Sequence, residues 1–165
     1  MTTAVLMELS ALEAAHLTDL MEQFAELLIE NAGEGAGDDP AIARLVPDAY
    51  PDDPEAAAEF RDLTQGDLLD RRRADVDIVL ASLRRDGVTL RPADLDRVEA
   101  ETAFVIDLDA DAVSAWLRSL TAVRLVMATR LGITSDDDED ERDPRFGVYN
   151  WLGFRLEGLL QALDD

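Results

Sequence analysis

Cysteine and lysine are both absent from the 165 residues, histidine occurs once, and aromatic side chains make up only 5%. Without cysteine there is no disulfide, thiol nucleophile, thiol redox switch or Cys-ligated metal. With His16 alone, no site can use two imidazole ligands. No apolar run approaches the ~18–20 residues that span a bilayer. The opening Met1-Thr-Thr-Ala-Val-Leu-Met-Glu-Leu has neither the basic n-region nor the small-residue cleavage site of a secretory signal. These absences predict a cytoplasmic protein.

Cations are also scarce. Fifteen basic residues, all Arg, stand against 37 acidic ones, for a net charge of −22. Affinity for DNA phosphates and anionic lipid rests on cationic contacts, so no direct nucleic-acid partner and no membrane association are expected. The same charge predicts self-repulsion at low ionic strength. The melting temperature is expected to rise as the Debye length shrinks from ~30 Å at 0.01 M salt to ~10 Å at 0.1 M. A melting temperature that fell with added salt would contradict this.

What is abundant is apolar surface. Hydrophobic residues make up 47% of the chain, too many for a disordered segment. Its length suits one compact domain burying roughly 70% of the surface exposed when unfolded.

The segment 39–64 carries four prolines, Pro40, Pro47, Pro51 and Pro54, with apolar residues in helical register on either side. Proline suits a first helical turn and breaks a helix interior, so this reads as short helix, rigid turn, then helix. Before it, residues 3–9 predict a short strand. Ser10 and Glu13 form a capping box for a helix whose apolar face is Leu12, Leu17, Leu20, Met21, Phe24, Leu27 and Leu28. Residues 31–39, with Gly33, Gly35 and Gly37, predict a mobile loop.

A long helical stretch follows from about Pro54 to Arg85, with a bend or break expected near Thr64-Gln-Gly66, and Asp86-Gly87 ending it. Val88–Leu90 and Phe104–Leu108 are strand candidates; the latter can pair with the former or with the N-terminal strand. Residues 92–101 predict a brief helix. Asp109 or Asp111 can cap the next helix, whose stripe is Val113, Trp116, Leu117, Leu120, Val123, Met127 and Leu131, with Gly132 at its end. A charged mobile loop over 134–145 leads to a last helix from about Phe146 to Leu163. The expected fold is mostly α: one domain over 1–165, a helical bundle with a small β element of two or three short strands.

Three blocks carry a resemblance: the proline segment 39–64, the stretch Asp107–Gly132 around Ala115-Trp116-Leu117, and Val148-Tyr-Asn-Trp-Leu152 after an acidic run. In this order they resemble an actinobacterial domain-of-unknown-function family, numbered two thousand seventeen, over about residues 10–163. The resemblance implies a regulatory role, since members are often encoded near the ClpS protease adaptor and some are described as transcriptional regulators. It brings no catalytic residues. The missing cysteines preclude thiol-based oxidant sensing, and residues 91–103 look longer than the family's usual connection.

Few constellations carry chemistry. Asp136, Asp138 and Asp140 have the 1-3-5 spacing of a calcium loop, but the sixth position is Glu141 where glycine belongs and the twelfth is Gly147 where glutamate belongs. The run therefore reads as a solvated loop. Arg71-Arg72-Arg73 is the densest basic cluster. At about 100° per residue its side chains fan around a helix, so one flat anion cannot engage all three, and pairing with nearby acids is the plainer reading. No Gly-x-Ser-x-Gly elbow and no phosphate loop are present. No catalytic, cofactor-binding or metal-ligating residue and no cofactor is assigned.

The expectation is therefore a non-enzymatic cytoplasmic regulator acting through protein–protein contacts, possible contact residues being Arg71, Arg72, Arg73, Trp151 and Phe154. Its partner would belong to the transcription or proteolysis machinery. A homodimer through the last helix is the associated oligomeric expectation. The alternatives are a metal-dependent enzyme with a carboxylate-lined pocket and a direct DNA-binding regulator.

Overall fold

The computed structural model describes residues 5–31, 40–45, 50, 52–133 and 146–164, excepting the side chains of Arg61 and Asp62. The charged run 134–145, residues 32–39 of the expected 31–39 loop and two of the four prolines, Pro47 and Pro51, lie outside the described residues. The elements are β1 (Val5–Ser10), α1 (Ala11–Glu30), α2 (Pro40–Ala43), α3 (Pro54–Leu83), a 3-10 turn (Pro92–Asp94), α4 (Arg97–Glu101), β2 (Ala103–Leu108), α5 (Ala110–Leu131) and α6 (Gly147–Asp164). The fold is mostly α with a small two-stranded sheet.

β1 and β2 pair antiparallel from Val5 opposite Leu108 to Ser10 opposite Ala103. Alternation sorts the two faces. Val5, Met7, Leu9, Ile106 and Leu108 point into the core, and Leu6 and Val105 point out with Glu8 and Asp107. Of the two pairings open to the 104–108 strand, the N-terminal one is formed. Val88–Leu90 does not form a strand. Asp86 and Gly87, at φ 52° and 79°, make a two-residue turn in which Arg85 and Val88 exchange backbone hydrogen bonds of 2.9 Å. α3 runs to Leu83, so almost no extended chain is left opposite Val88 to continue the ladder.

α1 begins as expected: Ser10 Oγ accepts from Glu13 N (3.1 Å), and Glu13 Oε1 accepts from Ser10 N (3.3 Å). Leu17, Met21, Phe24 and Leu28 are buried, whereas Leu12 lies at the rim of a surface pocket. The proline reading holds at its two described helix starts. Pro40 opens α2, and Pro54 opens α3 behind an Asp53 cap that accepts from Ala56 N at 3.1 Å.

The expected break at residues 64–66 is absent: α3 is one helix of 30 residues. Its two halves differ, since among the described side chains of residues 54–66 only Ala57 is buried, while Leu69, Val76, Val79 and Leu83 enter the core. Gly66 costs helix stability without interrupting it, because packing of the second half sets the axis. A Cβ at Gly66 would meet nothing within 4 Å and the position has no positive φ. Gly66→Ala is therefore expected to stabilise the protein by about 0.5–1 kcal/mol, read as a higher urea midpoint at unchanged slope. A lower midpoint would mean that Gly66 bends or contacts something in solution.

The brief helix expected over 92–101 splits in two. Asp96 adopts an extended conformation to cap α4, accepting from Glu99 N at 2.8 Å, which leaves only a 3-10 turn before it. Arg91 fastens this connection to α1 through Asp19 (2.9 Å) and Glu22 (2.6 and 3.1 Å). The Ala11 N–H adds a 2.9 Å bond to the Thr102 carbonyl.

α5 is the central helix, packed against α2, α3, α6 and β2. Asp109, not Asp111, is its cap, accepting from Ala112 N at 2.8 Å, and Gly132 closes it in the left-handed conformation. The buried surface is broader than the expected stripe. Ala115, Ser119, Ala122, Val126 and Ala128 are buried with Val113, Trp116, Leu120 and Val123, whereas Leu117, Met127 and Leu131 are only half-buried. Trp116 is wholly enclosed, its Nε1 donating to Ser82 Oγ at 2.8 Å. On α6, Tyr149, Leu152 and Leu159 are buried, while Leu160 and Leu163 are exposed.

Candidate functional site

The capping box of α1 does more than start a helix. Glu13 Oε2 accepts from Trp151 Nε1 at 3.0 Å and from an Arg155 terminal nitrogen, both on α6. The second terminal nitrogen of Arg155 donates to the Glu8 carbonyl of β1 at 3.2 Å. One carboxylate thus joins a helix start, a helix face and a strand. Burial pushes the Glu13 carboxyl up. The hydrogen bonds from Arg155, the Ser10 backbone and Trp151, with the Arg155 charge, together outweigh it and hold the group below the ordinary glutamate range.

Two concavities flank this junction. Between α1 and α6 lies a pocket of about 370 Å³ with Leu12, Leu20, Val148 and Trp151 as apolar walls and His16 and Gln23 among its lining. Between β1 and α6 lies a smaller one of about 200 Å³ bounded by Leu6, Glu8, Phe154 and Arg155. Glu13 lines the first and Arg155 the second, so the ion pair is the ridge between them. Leu6 is 70% exposed, Phe154 69% and Val148 47%.

Elsewhere α6 is tied to α5 through Arg124, whose guanidinium sits 4.1 Å from the Tyr149 ring centroid and donates from Nε to the Tyr149 carbonyl at 3.3 Å. A Cβ at Gly153 would stand 2.7 Å from that guanidinium, which gives glycine a reason to be there.

A third concavity, about 480 Å³, opens between α3 and α5 and is lined by Leu68, Arg71, Arg72, Ala74, Asp75 and Arg118. Asp75 takes a two-pronged ion pair from Arg118, at 2.8 and 2.9 Å. The hydrogen bond to Asp75 raises the Arg118 pKa.

The family model for Domain of unknown function (DUF2017) matches residues 2–163. The chain belongs to that family. No curated protein and no solved structure matches it. The matched span of this DUF2017 chain contains all three concavities and each residue singled out from the sequence.

Those residues do not form one site. Trp151 and Phe154 flank the Glu13–Arg155 ridge, whereas Arg71 and Arg72 line the α3–α5 pocket and Arg73 is exposed outside its lining. Sequence reasoning missed Glu13 as a junction, since its partners lie 138 and 142 positions away. It also missed Arg118 as the companion of the arginine run, although the long apolar α5 stripe placed that residue on a predictable edge. Among the described residues of this DUF2017 chain, no three His, Asp or Glu side chains are grouped to hold a metal ion, and no helix is long and apolar enough to cross a membrane. The acidic run 136–141 lies outside the described residues.

Proposed function

We propose that the chain is a non-enzymatic cytoplasmic regulatory protein that docks a protein partner along α6. The observation that supports this reading is the exposed apolar surface on both sides of the Glu13–Arg155 ridge. Leu12 and Val148 border one concavity, and Leu6 and Phe154 border the other. Large exposed apolar side chains gathered on one surface are unfavourable in water unless something covers them. Concavities of this width accept the apolar side chains of an amphipathic helix spaced at three and four residues. With a chain charge of −22, a basic helix is attracted at long range and an acidic one repelled. The partner class is therefore a basic amphipathic segment of a protein, in the transcription or proteolysis machinery.

The test is site-specific photo-crosslinking from position 23, an exposed residue lining the same pocket, in the native host, with the captured proteins identified by mass spectrometry. The double substitution Leu12→Glu with Val148→Glu is expected to abolish capture of a partner bearing a basic amphipathic helix, while thermal melts stay unchanged. Val98→Glu, at a residue 78% exposed on α4, is expected to leave capture intact. Loss of capture in both variants, or in neither, would remove α6 as the docking face. A dimer seen by light scattering and dissolved by Phe154→Glu would assign the face to a second copy instead.

A further inference from the structure

Arg72 sits half-buried in the α3–α5 pocket with its Nε sealed from solvent and without an acceptor. Asp75, the acid that acts on Arg72, is held at both oxygens by Arg118. Among the described residues, neither Arg71 nor Arg72 has a carboxylate within ion-pair distance. The pocket lining thus holds three guanidinium groups and one carboxylate, with Asp111 also acting on Arg118 from outside the lining, in a chain whose net charge is −22. Burial lowers the Arg72 pKa; Asp75 opposes this and the Arg118 charge adds to it. A half-buried cation without a partner is unfavourable unless an anion completes it.

We propose that this pocket binds a phosphate-monoester dianion carried on a small soluble molecule. The sign of the charge fits, since guanidinium groups outnumber carboxylates around the pocket. The geometry fits as well. Arg72 from α3 and Arg118 from α5 line the pocket from two helices, which removes the objection that neighbours on one helix fan apart, and N–H groups not engaged by Asp75 remain to donate to phosphate oxygens. Leu68 and Ala74 supply an apolar wall for the rest of the molecule. A volume of about 480 Å³ lies in the range of small-molecule pockets, roughly 300–1,000 Å³. Size also follows from charge: a polyanion is repelled along its length by the acidic surface. A single phosphate group meets the guanidiniums at contact distance, with the more distant acids screened over ~8 Å at physiological salt. The site is separate from the α6 surface, and neither reading depends on the other.

The test is calorimetry and thermal melting of the full chain with inorganic phosphate, glycerol phosphate and a phosphoserine peptide, each to about 10 mM and against NaCl of equal ionic strength, because added salt alone stabilises this chain. Glycerol phosphate is expected to bind stoichiometrically and to raise the melting temperature by about 5–10 °C at a hundredfold excess over Kd. Arg72→Gln, which removes a half-buried charge without an ion-pair partner and is expected to fold at least as well as the parent, should weaken binding at least ~10-fold. Arg73→Gln, the same charge change outside the pocket lining, should alter it by no more than ~2-fold. Equal losses in the two variants would reduce the effect to overall charge and overturn the proposal. No response beyond the NaCl control, or binding of the phosphopeptide without glycerol phosphate, would overturn it as well.

Discussion

Trp116→Ala is expected to destabilise the protein by about 3–5 kcal/mol, the range for emptying a fully buried aromatic site. Against a typical total of about 5–15 kcal/mol, that brings the chain close to unfolding at physiological temperature. The indole is wholly enclosed on the central helix, and its Nε1 bond to Ser82 Oγ links α5 to α3. Truncation leaves a cavity between the two helices and removes the Ser82 hydroxyl's donor, although that hydroxyl keeps its own 2.7 Å bond to the Val79 carbonyl. Trp151→Ala is expected to cost less, about 1–2 kcal/mol, because that ring is half-buried and loses chiefly its bond to Glu13. Urea denaturation of both variants ranks them. A folded Trp116→Ala protein melting at the parent temperature would show that the ring does not occupy the core in solution.

The second large effect belongs to Glu13. Glu13→Gln should destabilise the protein by about 2–3 kcal/mol at neutral pH. It leaves the half-buried Arg155 guanidinium without its counter-charge, and the solvent-exposed third of the carboxylate keeps the loss below that of a fully buried pair. The direction with pH follows from the lowered pKa. A depressed carboxyl contributes stability that is complete above its unfolded value, about 4.3, and is lost as pH falls through the lower folded value. The stability difference between parent and variant should therefore be constant from neutral pH to about 5 and shrink below about 4. Denaturation curves at pH 7, 5, 4 and 3 measure it. A difference that persisted undiminished at pH 3 would mean that the Glu13–Arg155 contact is not ionic.

Local chemistry made much of this fold readable in advance. Ser10 with Glu13, Asp109 with Gly132, and Pro40 and Pro54 each signal a helix terminus through atoms within a few residues, and each terminus stands where those signals put it. The apolar stripes of α1 and α5 were visible for the same reason. What escaped were effects set by distant chain. Gly66 lowers helix propensity, yet the packing of Leu69, Val76 and Val79 keeps α3 whole. Ala115, Ser119 and Ala122 are buried by close helix neighbours, and small side chains give no hydrophobic signal of that. The charged groups were hardest. Asp75 had several arginines nearby in sequence and pairs instead with Arg118, 43 positions away. The arginine run was legible as a basic cluster, but which members face a pocket depended on the partner helix.

The pairing of β1 with β2 joins residues 5–10 to residues 103–108. On a ribosome adding about 5–20 residues per second, the first strand waits roughly 5–20 s for its partner to be made. During that interval Val5, Met7 and Leu9 have no sheet to complete them, while α1 can already coil beside them. An unpaired apolar strand is the kind of segment that recruits neighbouring nascent chains. Acidic residues are spread along the part made meanwhile, so emerging copies repel one another through that window. The acidity that disfavours polyanionic partners for the finished protein thus also acts as its own solubilising agent during synthesis.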